Sequence, residues 1–285
     1  MAIVIVNGFF VGLVYGLLAV GLVVIYRGSR VINFAYGETG MIGAFVFSEL
    51  WVTHHVALLL AVAIGVALSA LVGALTELAL VRPLRGQPPL SIMVGTLAVA
   101  AVVLTFATRR YGLTPRYLPP LVAGDGVRLV GVTVQPAQLL ILGVTVLVLG
   151  ALTGLYKFGS FGLRLRATAL DPMAAGLVGV NTDVTSVSTW ALAGALAGLS
   201  GILIAPAVAF SVFFMSSLLL RSVAAALVGG LTSIRGAMTA GIVLGVVEGI
   251  IGYASPVKGI VEVAVAAFVV GLLLVRPSGL VRSAY

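Results

Sequence analysis

Five ionisable residues fall inside or beside long apolar runs: Glu38, Glu77, Arg221, Glu248 and Glu262. A charge at mid-bilayer costs about 2.5–3.5 kcal/mol on insertion scales, so such residues face protein or water and mark pathways and relays. Glu38 follows Asn33 by five positions in Asn33-Phe34-Ala35-Tyr36-Gly37-Glu38, and Gly37 and Gly40 open space beside it. Two readings of Glu38 stay open: a pathway or gate residue, or an interfacial carboxylate paired with Arg27 or Arg30. Asn33 is expected to cap the helix that follows. Glu49 and Glu77 lie near the ends of apolar runs and read as interfacial ion-pair partners. Arg221 follows Leu218-Leu219-Leu220. It reads as the partner of a substrate carboxylate or of an internal glutamate, or as an arginine snorkelling to the interface. Asn33, Glu38 and Arg221 are the candidates for a solute pathway or gate.

Catalytic chemistry finds little support. Gly198-Leu199-Ser200-Gly201 has the GxSG form of the rhomboid intramembrane protease nucleophile. A serine nucleophile needs a base within hydrogen-bond reach. The two histidines, His54 and His55, lie far upstream, whereas that protease places its base after the serine. Ser200 therefore reads as a small residue in a packed helix. As a metal pair His54 and His55 are weak, because neighbours on a helix point apart and no carboxylate cluster joins them. There is no cysteine for a thiolate, a disulfide or a metal site. G-x-x-x-x-G-K-[ST] is absent, so nucleotide is not bound by that route and any ATP used must be hydrolysed by a partner. No catalytic residue, metal or cofactor is expected.

The elements that must position these residues are membrane spans. The 285 residues are 61% hydrophobic, with a mean hydropathy of +1.25, against about 45–50% apolar in soluble domains. Apolar runs of roughly 20 residues recur, the length that crosses the hydrocarbon core as a helix. The fold expected is all-α: one transmembrane domain over residues 1–285, a polytopic bundle of eight or nine spans. The candidate spans are Ile3–Tyr26, Val31–Leu50, Val56–Leu80, Leu90–Thr108, Pro136–Tyr156, Val184–Ala205, Leu218–Leu231, Ala237–Tyr253 and Ile260–Val275. The seventh is short, either half of a broken helix or continuous with the apolar residues before it. Met1–Tyr26 lacks a leading basic region, so it reads as a first span and not as a cleaved signal.

The net charge of +8 is an orientation signal rather than a nucleic-acid patch. With the N-terminus outside, Arg27, Arg30, Arg82, Arg85, Lys157, Arg164, Arg166, Arg235, Arg276 and Arg282 lie inside. Arg109, Arg110, Arg116, Arg128 and Lys258 then lie outside. Ten against five favours N-out and C-in. The segment Arg109–Gln135 carries four of the outer arginines and runs against the trend. Its Pro, Gly and Val content suggests a small structured loop.

Lys157 to Asn181 is a polar break in this apolar chain, holding Lys157, Arg164, Arg166 and Asp171. Asp171 can cap a helix, Pro172 suits its first position, and Gly179 is placed to end it. A basic loop carrying a short helix between spans suggests a cytoplasmic docking element. Glycines recur at helical spacing: Gly8, Gly12 and Gly16; Gly241, Gly245 and Gly249; and the set Gly65, Ser69, Gly73. Each set lets helix backbones approach closely.

These segments together resemble the permease subunits of ABC importers for branched-chain amino acids, a group that includes urea and short-chain amide permeases. VNGFFVGLVYGLLAVGLVVIYRGSRVINFAYGETGMIGAF is similar to that family's opening span and NFAxGE region. RATALDPMAAGLVGVNTD is similar to its coupling segment, GGLTSIRGAMTAGIVLGVVEG to its glycine-rich pair, and VRPSGL to its closing element. Tyr36 stands where the family often has His or Gln, and Thr232 replaces a common Gly, which leaves the solute open. The resemblance implies a bacterial or archaeal inner-membrane subunit. Its partners would be a second homologous permease, two ATP-binding cassette subunits and an extracytoplasmic solute-binding protein. It implies that Arg164, Arg166, Asp171, Pro172, Ala175, Gly176 and Gly179 meet the ATPase, within a coupling segment 157–181. Alternating access would carry the solute. The alternatives are a urea or amide permease, and a stand-alone channel or proton-coupled carrier titrating Glu38.

Overall fold

The computed structural model describes residues 1–129, 132–255, 257 and 259–275. Lys258, Arg276, Arg282 and residues 276–280 of the closing VRPSGL element lie outside them. The described chain is helical: α1 (Ala2–Ser29), α2 (Tyr36–Ser48), α3 (Leu58–Thr76), α4 (Pro89–Tyr111), α5 (Pro136–Phe158), α6 (Ser160–Leu170), α7 (Pro172–Leu177), α8 (Thr182–Ile204), α9 (Phe214–Gly229), α10 (Ile234–Ala254) and α11 (Ile260–Val275). Every span expected from hydropathy overlaps a helix, although the second, expected from Val31, becomes helical only at Tyr36. Six of these, α1, α3, α4, α5, α8 and α10, are long and apolar enough to cross a membrane. The chain is a polytopic transmembrane helical protein. In the expected outer loop, β1 (Val127–Leu129) pairs antiparallel with β2 (Val132–Val134), Val127 opposite Val134.

The chain divides into two units. The first comprises 1–23, 119–145 and the described residues from 217; the second comprises 24–118 and 146–216. In the first, α1 and α10 run antiparallel with glycine against glycine. A Cβ at Gly12 would stand 2.7 Å from Ile242 Cα, and one at Gly8 2.7 Å from the Gly245 carbonyl oxygen. No side chain fits there, so the sequence spacing of four is a contact seam. At Gly249 the nearest atom is 3.1 Å away, and the seam is looser. The α9–α10 turn is held at Gly230 (φ +89°), and Ser233 caps α10 by accepting from the Gly236 N–H at 3.0 Å.

The second unit is built on α2, α3 and α8. Gly43 meets Gly65 and Ser69; Gly73 meets the Trp190 carbonyl and Gly194; Gly198 meets Ser69. The Ser69 hydroxyl, fully buried, donates to the Thr39 carbonyl at 3.0 Å. This three-helix junction joins the expected Gly65–Ser69–Gly73 stripe to an α8 face that the stripe alone does not reveal. The seventh span is continuous with what precedes it: α9 begins at Phe214. The irregular backbone before it is anchored by buried Phe210, whose N–H and C=O bond the Arg116 backbone. Its ring lies 4.3 Å from that of Phe45. Two π-helical turns, Glu49–Thr53 and Glu77–Val81, end α2 and α3.

Candidate functional site

The polar segment 157–181 is more ordered than a loop with one short helix. α5 ends at Phe158 and α6 occupies Ser160–Leu170 before α7 begins. Leu, Arg and Ala fill α6 and favour a helix, and no proline interrupts until Pro172. Asp171 separates the two helices. Its Oδ1 accepts from the backbone N–H of Met173 at 2.8 Å and of Ala174 at 3.0 Å. At the other end the Gly179 N–H reaches the Gly176 carbonyl and the Val180 N–H the Ala175 carbonyl, each at 3.0 Å. Gly179 has φ +84°. These bonds form a Schellman stop, which satisfies the last carbonyls of a short helix.

Between its caps α7 faces outward. Met173 is 80% exposed and Leu177 86% exposed, while Ala175 is buried. Nothing lies within 4 Å of a Cβ built at Gly176. These two apolar side chains are among the most exposed of the described chain. Arg164, Arg166 and Asp171 are all exposed, and Arg166 Nη1 donates to the Tyr156 carbonyl at 2.8 Å.

A four-charge network stands next to this segment. The Arg85 guanidinium bonds Asp183 through Nη1 and Glu77 through Nη2. Arg82 lies 3.8 Å from Asp183 and 3.9 Å from Glu77. Glu77 is fully buried in the π-helical turn. The expectation that Glu77 pairs near a span end holds, but its depth was not foreseen. Asp183, beside the Asn181 cap, was not singled out at all. The cue was present: an acid in the first turn of a helix that follows the polar segment. Glu49 pairs with Arg110.

Asn33 does not cap α2. The cap position is Ala35, which offers no side-chain acceptor. Asn33 is buried, and its Oδ1 accepts from the Ala35 N–H at 2.9 Å, a turn closed two residues on. Glu38 is buried in the first turn of α2. Its Oε1 accepts from the Ser216 hydroxyl at 2.9 Å, and its Oε2 has no hydrogen-bond partner among the described residues. Tyr36, Trp190 and Ser200, in the same unit, also bury a polar atom without a partner. Among the described residues, the Ser200 hydroxyl thus bonds no base.

Arg221 belongs to the first unit and so does not share a unit with Asn33 and Glu38. Its Nε donates to Glu248 Oε1 at 2.6 Å, and its Nη2 lies 3.5 Å from Glu262 Oε1. Tyr15 donates to Glu248 Oε2 at 2.8 Å. Of the readings open for Arg221, partnership with an internal glutamate is the one present.

The family described as "Branched-chain amino acid transport system / permease component" matches residues 4–276. The high-affinity branched-chain amino acid transport system permease protein BraD of Pseudomonas aeruginosa is 29% identical over 292 residues, 96% of this chain and 94% of BraD. LivH of Escherichia coli K12, named as a permease of the same kind of system, is 29% identical over 293 residues, covering 96% and 93%. A LivH from Methanocaldococcus jannaschii, a probable permease, is 31% identical over 247 residues, covering 83% and 76%. Among solved structures, PsaBC from Streptococcus pneumoniae in complex with Fab aligns at TM-score 0.53. The identity is 16%, over 97% of this chain and 92% of that one, so this likeness concerns the fold alone.

Proposed function

The chain belongs to the family of branched-chain amino acid transport permeases, and we propose that it is the permease subunit of an ATP-driven importer. Its solutes are branched-chain or related small amino acids. The observation that carries this reading is α7: a six-residue helix capped at both ends, with exposed apolar side chains, inside the basic segment of an otherwise apolar chain. A carrier working alone has no evident need for it. The chain has no Walker-type phosphate loop, so ATP is hydrolysed on two partner cassette subunits, and α7 lies in their grooves. A second permease completes the pore, and an extracytoplasmic binding protein delivers solute.

In this reading the N-terminus is outside and the C-terminus inside, with residues 1–285 acting as one permease domain. The ten-to-five excess of Lys and Arg supports that sidedness. The pairing of Arg82 and Arg85 with Asp183, and of Arg110 with Glu49, fits the order of spans, since each pair joins loops on one side of the membrane. Transport is by alternating access. ATP-driven closure of the partners moves α7, and the glycine seams let close-packed helices re-angle without side chains in the way. Glu38 and Asn33 line the pathway or its gate. Arg221 serves unit 1 through its glutamates.

Co-purification from native membranes tests the reading. Two ATPase subunits and a second permease should come with the tagged chain, and leucine, isoleucine or valine uptake should require ATP. A chain recovered alone, passing solute without ATP in vesicles, would establish the carrier alternative. Uptake confined to urea or amides would keep the assembly and change the solute.

A further inference from the structure

α7 has few holds on the helices of its own unit. It packs on α6 and α8, and Ala175 is the one residue it buries. A cavity of about 340 Å³ opens beside its first residue, Pro172, bounded also by Val81, Arg85, Leu165 and Thr182. Where that space separates them, α7 and the end of α3 gain no dispersion contact. A push on α7 reaches the start of α8 directly, through their packing and the short chain between them.

The charge network adds a polar tie from the start of α8 to the end of α3. Asp183 stands in the first turn of α8, just after α7 and its Asn181 cap. It is tied to Arg85, and the same guanidinium is tied to Glu77 at the end of α3. A guanidinium is a planar, rigid fork, so two carboxylates held by its two terminal nitrogens keep a fixed separation. Glu77 is fully buried, and a buried carboxylate stripped of its counter-charge is strongly destabilised, so Arg85 must follow Glu77. α3 in turn is locked to α2 and α8 through backbone-to-backbone glycine contacts, so its end moves with the three-helix junction.

We propose that Asp183 and Arg85 are positioning residues that transmit displacement of α7 to α3, so that ATP hydrolysis at the partners is converted into movement of the α2–α3–α8 junction. This rests on α7 being the ATPase-facing element. The Asp183 side chain is 48% exposed, and pairs at such sites add little to stability, so Asp183→Asn leaves folding intact while cutting the link.

The test uses the whole complex in proteoliposomes, measuring leucine imported and ATP hydrolysed on the same sample. Asp183→Asn is expected to lower uptake about tenfold, a coupling loss within the range of single-residue effects, with ATP hydrolysis and subunit composition unchanged. Asp183→Glu, which restores the charge, should return uptake to within about twofold. Because Arg85→Met alone strands buried Glu77, the paired Glu77→Gln/Arg85→Met variant is the second probe and should be uncoupled in the same way. Wild-type uptake in Asp183→Asn, or loss of uptake and hydrolysis in proportion, overturns the proposal. If the wild-type chain binds no ATPase, the importer reading falls and this proposal with it. If the wild-type complex couples ATP to uptake and Asp183→Asn does so equally well, this proposal alone falls.

Discussion

Glu248 and Glu38 are both carboxylates buried in apolar helices, and their surroundings differ sharply. In the first unit, Glu248 has Tyr15 on one oxygen and Arg221 on the other. In the second, Glu38 has Ser216 on one oxygen and, among the described residues, no hydrogen-bond partner on the other. The contrast extends beyond these two residues. Among the described residues, Tyr36, Tyr156, Trp190 and Ser200 of the second unit also bury a polar atom without a hydrogen-bond partner, as does Thr145 of the first. Buried polar groups are normally bonded, and departures gather where a protein has work beyond holding itself together. The first unit reads as a scaffold, with closed seams and a charge fully answered. The second holds both the half-answered carboxylate and the charge network beside α7.

The sharpest way to break this comparison is to remove one charge from each unit. Arg221→Ala leaves Glu248 without its cation and is expected to cost about 3–5 kcal/mol, as single-partner deletions of buried pairs do. Glu38→Gln keeps shape and a hydrogen-bonding oxygen and should cost under about 1 kcal/mol while reducing uptake. Thermal unfolding in detergent alongside uptake separates the two. Equal destabilisation would place Glu38 among scaffold residues.

The glycine seams come next. Gly12→Ala and Gly73→Ala each force a methyl group onto opposing backbone and should cost about 1–3 kcal/mol. Gly249→Ala, whose nearest neighbour would be 3.1 Å away, should cost less than about 1 kcal/mol. A flat response across the three would mean that the helices part readily along both seams.

A smaller stability effect is expected at Asp171→Ala, which removes the α7 cap and is worth about 1 kcal/mol. Its effect would be local, read as faster amide exchange at Met173 and Ala174. Smallest in stability is Gly176→Arg. The site is open to space, so the protein should insert and melt as wild type while uptake is lost. Normal uptake in that variant would count heavily against a coupling role for α7.

The spans, the glycine seams and the caps of α7 were legible in the sequence because each depends on local spacing. A run of apolar residues, a small residue every fourth position, and Asp-Pro followed by Gly specify their structure within a few turns of chain. The Asn33 expectation failed at the same scale, since its side chain closes a turn onto Ala35 before α2 begins. α6 was missed because its charged residues resembled a loop, although their helix propensity is high.

What tertiary structure alone decided is which partner each charge finds. Glu77 and Arg85 are close in sequence, but Asp183 lies 98 positions from Arg85. Glu248 meets Tyr15 across 233 positions. Hydropathy places such residues at a depth in the membrane without saying what stands opposite, because that depends on how helices far apart in sequence pack side by side. The sequence by itself determined a polytopic helical permease with a short helix capped at both ends. The packing decided that one buried carboxylate is fully answered and another is left half open.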